Sequence, residues 1–345
     1  MKLALLVPGP FETISGGYIY DARLVEGLRA LGHAVRVVEL AGSHPLPDAE
    51  AEASALHGLE GLAPDERPIL DGLGLPAFSA MTEALIRRGA VALIHHPTAL
   101  EPGFTPAENA RLKATECELF PRLARLVATS RHTADRLAME FGGDPARIGV
   151  VEPGTDPAPR AKGSGGPGVA ILAVGTLVPR KGHDVLLRTL AGLPDLDWTL
   201  AIVGEPRDPV HADGLGALAE ELGIARRVRF TGGLGREALE AEYQRADIFA
   251  LATHFEGYGM AAAEAMARGL PLAITAGGAI ADIVPIEAGI VSPPGDTVSF
   301  TKAMRRLIFD TALRAEMAEA SWRAGQSLPR WTDRAQAFIA ELSQA

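Results

Sequence analysis

The chain has 345 residues, a length that predicts two domains, and its apolar fraction of 47% is that of a soluble globular protein. Lys and Arg number 33 against 43 Asp and Glu, a formal charge of −10 with no dense basic block, which argues against nucleic acid as a partner and weakens peripheral contact with an anionic membrane without excluding it. A single cysteine, Cys117, cannot close an internal disulfide and fits a reducing cytoplasm; the apolar run at 3–7 is too short for the core of a secretion signal, and no segment approaches the length of a membrane span.

Residues 2–7 read as a first strand and 8–17 as a loop ending in Gly16-Gly17. Residues 18–31 follow as a helix with Ile19, Ala22, Val25, Leu28 and Leu31 at helical spacing, stopped by Gly32. A strand at 35–40 completes a βαβ opening, but Gly-x-Gly-x-x-Gly is absent and no dinucleotide fingerprint is specified. Residues 41–67 are rich in Ala, Glu, Pro and Gly and show little pattern. A strand is predicted at 69–75, a helix at 78–88, and a strand at 91–94 that runs into His95-His96-Pro97. Two histidines at the carboxyl end of a strand are placed for a site, the alternative being a surface or inter-domain pair. No further His or Cys lies at ligand spacing, so no metal site is expected. The helix predicted at 106–123 carries Arg111, Lys113 and Arg122 among apolar residues, and Glu108, Glu116 and Glu118 dilute it toward a solvated face rather than a membrane-facing one. A strand at 126–129, a helix at 132–141 capped by Ser130 and a strand at 148–151 close the first half.

Residues 157–168 contain Pro-Ala-Pro and Gly-Ser-Gly-Gly-Pro-Gly, a linker composition that places the domain boundary there, with a first domain at 1–158 and a second at 168–325. The alternation then restarts: strands at 169–174, 198–203, 228–230, 248–252 and 272–275, with helices at 183–193, 215–222 and 237–245. Two such runs predict an α/β chain of two doubly wound sheets facing across a cleft. Helices follow at 300–308 and 313–324, and a last one at 332–342 shows an apolar stripe of Trp331, Ala335, Phe338, Ile339 and Leu342.

The most informative stretch is Phe255–Pro271. It lies between two buried strands and reads as a loop with Gly257 and Gly259, a helix of Ala and Met, and a stop at Gly269 and Pro271. Free N–H groups near Met260 and Ala261, with the helix dipole behind them, favour an anion. Glu256 and Glu264 flank that site; carboxylates repel phosphate, so they are expected to accept from hydroxyls. A phosphate beside hydroxyls describes a nucleotide sugar. Arg180-Lys181, in the loop 175–182, offers a bidentate guanidinium and a point-charge ammonium suited to a diphosphate, although Arg-Lys alone is also an ordinary solvated pair. Asp195-Leu196-Asp197 has the Asp-x-Asp form of a metal ligand but precedes a strand, on the edge away from ligands, and reads as a turn.

Taken together, these motifs resemble the retaining glycosyltransferases of family four, whose fold of two Rossmann-like domains is called GT-B. The carriers are Val174-Gly175-Thr176-Leu177-Val178-Pro179-Arg180-Lys181-Gly182, Ile202-Val203-Gly204, Val228-Arg229-Phe230-Thr231-Gly232, Tyr243-Gln244-Arg245-Ala246-Asp247, the stretch from Glu256 to Pro271, and Val291-Ser292-Pro293-Pro294-Gly295-Asp296. The resemblance implies that Arg180 and Lys181 bind the donor diphosphate, that Glu256 meets the donor sugar and Glu264 the ribose, and that Gly16, Gly17, Gly175, Gly204, Gly232, Gly257, Tyr258, Gly259 and Met260 complete the donor site. One of His95 and His96 would lie near the transferring sugar. It also implies a closing segment, 326–345, that crosses back to the first domain. The expected function is transfer of a hexosyl unit from a UDP- or GDP-sugar to a hydroxyl acceptor (saccharide, lipid-linked or small molecule) with retention, without metal or other cofactor. A nucleotide-sugar epimerase and a non-catalytic sugar-nucleotide binding protein are the alternatives. The sequence departs from the family at 41–67 and at Glu205-Pro206-Arg207, which follows Gly204.

Overall fold

The computed structural model describes residues 1–101 and 103–344. The chain forms two compact units, one of Met1–Gly154 together with the segment from Pro329 onward, the other Thr155–Leu328. In the first unit the strands are β1 (Lys2–Pro8), β2 (Ala34–Leu40), β3 (Glu66–Asp71), β4 (Val91–Ile94), β5 (Arg125–Ala128) and β6 (Ile148–Val150), all parallel in the order β2-β1-β3-β4-β5-β6. In the second they are β7 (Val169–Val174), β8 (Trp198–Val203), β9 (Val228–Phe230), β10 (Ile248–Leu251), β11 (Leu272–Thr275) and β12 (Gly289–Ser292), parallel in the order β12-β11-β10-β7-β8-β9. Central strands such as β1 and β10 are continuous apolar runs because helices cover both faces of each sheet. Each order reverses once, between β1 and β3 and between β7 and β10. There the outgoing loops diverge and leave a crevice at the carboxyl ends of the strands. Among the described residues no helix is long and apolar enough to cross a membrane.

Several expectations are corrected. Residues 41–67 hold the helix Ala49–Glu60, capped by Asp48, and the start of β3. The helix escapes a periodicity reading because its buried face is Ala51, Ala55, Gly58 and Leu59, small side chains of little hydropathic contrast. The first helix, Gly16–Ala30, buries Tyr20, Asp21, Leu24, Val25 and Leu28, so its packed face is rotated from the expected stripe, and Ile19 and Leu31 are each 40% exposed. The segment expected as one strand at 69–75 ends at Asp71; Leu75 opens a 3-10 helix, Leu75–Met81, with Pro76 in its first turn. Glu116 is buried rather than solvated, and its carboxylate accepts from the Thr98 N–H (2.6 Å), the Thr98 hydroxyl (2.8 Å) and the Ala99 N–H (3.2 Å).

The units follow the expected division, with the segment 157–168 joined to the second. The change falls at Gly154/Thr155, and the chain returns to the first unit at Pro329. Residues 157–168 are not a free linker. Ala161 N–H donates to the Arg268 carbonyl (2.9 Å), Lys162 N–H to the Gln244 carbonyl (3.0 Å) and Ser164 N–H to Asp247 (3.1 Å). Pro and Gly report the absence of regular structure there, not the absence of packing. The last helix, Trp331–Leu342, belongs to the first unit, where it packs on Gly16–Ala30 and buries Ala335, Phe338 and Leu342.

Candidate functional site

In the second unit the loops after β7 and β10 leave the sheet at its switch point. The first closes in the 3-10 turn Pro179–Lys181 and Gly182, which has φ +62°. A Cβ at Gly182 would overlap the Ala252 carbonyl oxygen, so only glycine lets the two loops meet. Their contact is a backbone one: the Arg180 carbonyl accepts from the His254 N–H (2.8 Å) and the Thr253 hydroxyl (3.0 Å). The Glu256 N–H donates to the Gly277 carbonyl (2.8 Å), tying the loop to the one after β11.

On this frame the side chains converge. Lys181 Nζ lies 2.6 Å from Glu256 Oε1, across 75 residues of sequence. Arg180 donates to the Phe255 carbonyl (2.7 Å) and stands 3.8 Å from Glu256 Oε2. The three side chains are between 9% and 15% exposed. Burial opposes ionisation of Glu256, but the Lys181 and Arg180 charges outweigh it and hold the carboxyl below its ordinary range. The Arg180 guanidinium and the Lys181 ammonium thus flank Glu256 in a poorly solvated place, donors of the kind that suit an anion. The helix Met260–Ala267 starts beside them from Gly259, where no side chain caps it, and its first-turn amides and dipole favour the same charge.

Glu264, on the same helix, accepts from the Tyr243 hydroxyl (2.9 Å). Burial raises its pKa, the Tyr243 hydrogen bond opposing. Arg268 lies 4.2 Å from the Tyr243 ring centroid and pairs with Glu240, so the tyrosine is held from its other face. Gly175 and Gly204 meet at the carboxyl ends of β7 and β8, and Gly204 N–H donates to the Gly232 carbonyl (3.0 Å). A Cβ at Gly204 would overlap the Gly175 carbonyl oxygen; this row of glycines is a close backbone approach at the rim of the sheet. Tyr258 is buried. Asp195 forms a two-pronged pair with Arg305 (2.7 and 2.8 Å) in the exposed turn before β8.

In the first unit the corresponding switch point lies between β1 and β3. His95, following β4, sits over Gly17, whose Cβ would approach its Cδ2 to 3.2 Å. Its Nε2 is 3.0 Å from Asp21 Oδ1 and 3.6 Å from Asp71 Oδ2, and the oxygen and nitrogen atoms of the three lie within 4.8 Å of one another. Tyr20 packs edge-on against the imidazole at 5.2 Å and donates to the Val151 carbonyl (2.8 Å). Burial lowers the His95 pKa, but Asp21 overcomes it and the net shift is upward. Burial and the Asp21 charge push Asp71 upward. His96 instead pairs with Glu101 in the following loop. Of the two histidines, His95 is therefore the one placed beside Gly17.

Asp21 and Asp71 escape the sequence reading. The expectation that no ligand-type cluster forms looked for neighbours along the chain, whereas this one joins α-helix, β3 and β4 residues. A signal existed in each case. Asp21 sits one turn before Leu24 and Val25 on a buried helix face, and Asp71 ends an otherwise apolar strand.

Residues 157–323 match the family model described as glycosyl transferases group 1. Curated relatives include a D-inositol 3-phosphate glycosyltransferase from Thermomonospora curvata, 32% identical over 67% of this chain and 59% of that protein. Another, of the same name, from Mycolicibacterium gilvum is 38% identical over 56% of this chain and 48% of its own length. The chain thus spans about half to three-fifths of such relatives. Among solved structures, sucrose-phosphate synthase from Thermosynechococcus elongatus superposes with a TM-score of 0.83 at 19% identity, covering 100% of this chain and 99% of that one. Anabaena Alr3699/HepE in complex with UDP and glucose superposes with a TM-score of 0.78 at 16% identity, covering 100% of both. At such identities the likeness is one of fold, the GT-B architecture.

Proposed function

From a chain whose residues 157–323 match the family model of the group 1 glycosyl transferases, we propose an enzyme that moves a hexosyl unit from a nucleoside-diphosphate sugar to a hydroxyl acceptor, with retention of anomeric configuration and without a metal ion. The observation that carries this reading is the Arg180–Lys181–Glu256 cluster, two cationic side chains brought to one carboxylate at the β7/β10 switch point. The donor diphosphate takes its place against Arg180, Lys181 and the first amides of the Met260–Ala267 helix. Glu256 exchanges Lys181 for hydroxyls of the donor sugar, and Glu264, oriented by Tyr243, accepts from the ribose. The bond from the anomeric carbon to the diphosphate oxygen breaks with its electron pair going to the diphosphate, whose developing charge the two cations stabilise. The acceptor oxygen attacks on the same face, and its proton passes to the leaving phosphate. His95 is the histidine assigned to the transferring sugar.

UDP is the first base to test, because a solved relative in fold holds UDP and glucose. The acceptor panel begins with D-inositol 3-phosphate, for which the relatives are named, and extends to saccharides and polyols. A reducing, cytoplasmic setting goes with the lone Cys117.

The test joins a thermal-shift panel of UDP, GDP, ADP and their hexose conjugates to mass detection of product and NMR of its anomeric linkage. Transfer with retained configuration, unaffected by EDTA, is expected. An epimer formed from donor alone, binding without turnover on any acceptor, an inverted linkage, or metal-restorable loss in EDTA would each overturn its own part of the reading.

A further inference from the structure

The Asp21–Asp71–His95 cluster belongs to the first unit, and the diphosphate step proposed above does not call on its two carboxylates. Asp21 and Asp71 are 1% and 4% exposed, whereas the His95 side chain keeps 20%. A carboxylate taken out of water needs a partner, and the cationic group the structure gives to both is the imidazole. The groups facing that ring are Asp21 and Tyr20 from the first helix, Asp71 from the end of β3 and the backbone at Gly17. Trp331 packs on Tyr20 at 5.5 Å from the last helix, and Arg334 acts electrostatically on the tyrosine. The His95 carbonyl accepts from the Thr129 and Thr133 hydroxyls (3.2 and 3.4 Å), so backbone as well as ring is held.

We propose that Asp21 is a positioning residue for His95. Its Oδ1 accepts from Nε2–H at 3.0 Å, which fixes the tautomer and the ring plane and leaves Nδ1 as the nitrogen offered to an oxygen of the ligand. Asp71, 3.6 Å from the same nitrogen, is the second carboxylate that keeps the proton there. This extends the reading of His95 at the transferring sugar and rests on it for its consequence in catalysis, though not for the geometry. Protonated, the ring presents Nδ1–H as a donor; neutral, it presents a lone pair. Asp21 sets the pH at which one gives way to the other.

The experiment follows the imidazole nitrogens of the full-length chain by 15N NMR across pH 5 to 9, with the His95 signals assigned by His95→Gln. The expected result is an Nε2-protonated ring that titrates above the ordinary histidine value. In Asp21→Asn that titration should move down by about one unit or more. In parallel, donor turnover (transfer, or hydrolysis of the sugar nucleotide) in Asp21→Asn should fall about tenfold or more in kcat with little change in donor KM, and its pH profile should move with the NMR titration. Asp71→Asn should shift the profile in the same sense while the tautomer stays. If Asp21→Asn does not fold, Asp21→Glu replaces it, and partial recovery of both readouts is expected. An Nδ1-protonated ring in the wild type, an unmoved titration in a folded Asp21 variant, or displacement of the Nε2–H signal by added Mg²⁺ or Zn²⁺ would overturn the assignment. Absence of all turnover in the wild type would defeat the proposed function and leave the NMR result to decide the role of Asp21.

Discussion

The two units share one sheet plan and place opposite chemistry at equivalent points. At the β7/β10 switch point, two cationic side chains, Arg180 and Lys181, face the single carboxylate of Glu256. At the β1/β3 switch point, Asp21 and Asp71 face His95, and the excess is acidic unless a proton is shared. The topology explains where each site lies, because diverging loops open a crevice there in any doubly wound sheet. It does not explain what each site binds. That difference comes from three side chains per site, which shows in one molecule why fold alone carries no function.

The sharpest division of the two would come from Phe338→Ala. Phe338 is fully buried in the first unit, and truncation should cost about 3–5 kcal/mol there. Hydrogen exchange should show loss of protection in residues of the first unit, while UDP still binds the second. Loss of both together would mean that the units are not separable in stability. The next effect is on the cationic site. Lys181→Ala or Arg180→Ala should lower kcat/KM by about two orders of magnitude, about 3 kcal/mol, the scale of a removed electrostatic donor. Near wild-type turnover in both variants would remove the diphosphate from the site.

The units should also answer pH in opposite senses. In the first, burial raises Glu116 to about 7 against its three hydrogen bonds, and His95 is raised as well. Raised groups contribute stability that is present below their unfolded values and lost as pH rises through the folded ones, here up to about 7 for Glu116. In the second unit, burial lowers His183 to about 4, and Glu256 is lowered by its cations despite burial. Lowered groups contribute above their unfolded values, and that contribution is lost as pH falls, here from about 6.5 toward 4 for His183. Glu264, raised by burial, partly offsets this. Exchange protection, corrected for intrinsic rates, should therefore weaken by about 2 kcal/mol in the first unit between pH 5 and 8, and strengthen by a similar amount in the second. Parallel trends in the two units would refute this. The smallest effect belongs to Asp195→Ala, which breaks an exposed pair with Arg305 and should change stability by less than about 0.5 kcal/mol and activity not measurably. A large loss of activity would restore Asp195-Leu196-Asp197 as a functional motif.

The sequence by itself determined the alternation of the second unit, because its strands are mostly apolar runs and its loops are marked by glycines. The limits of β7, β8, β9 and β11 coincide with the expected ones. It also singled out Arg180, Lys181, Glu256 and Glu264 as candidates, since a Gly-rich loop before a helix and a pair of cations are local features. What it could not determine was which distant side chains meet. Lys181 reaches Glu256 across 75 residues and His95 reaches Asp21 across 74, and both pairings are set by strand order rather than by spacing. That His95 rather than His96 lies beside Gly17 likewise waited on the turn of a single residue at the end of β4. The small-residue helix Ala49–Glu60 was hidden because Ala and Gly give a buried face almost no hydropathic signal, and the burial of Asp21, Asp71 and Glu116 contradicts their polarity. A polar side chain is buried only when a partner is waiting for it, and partners are supplied by tertiary structure alone.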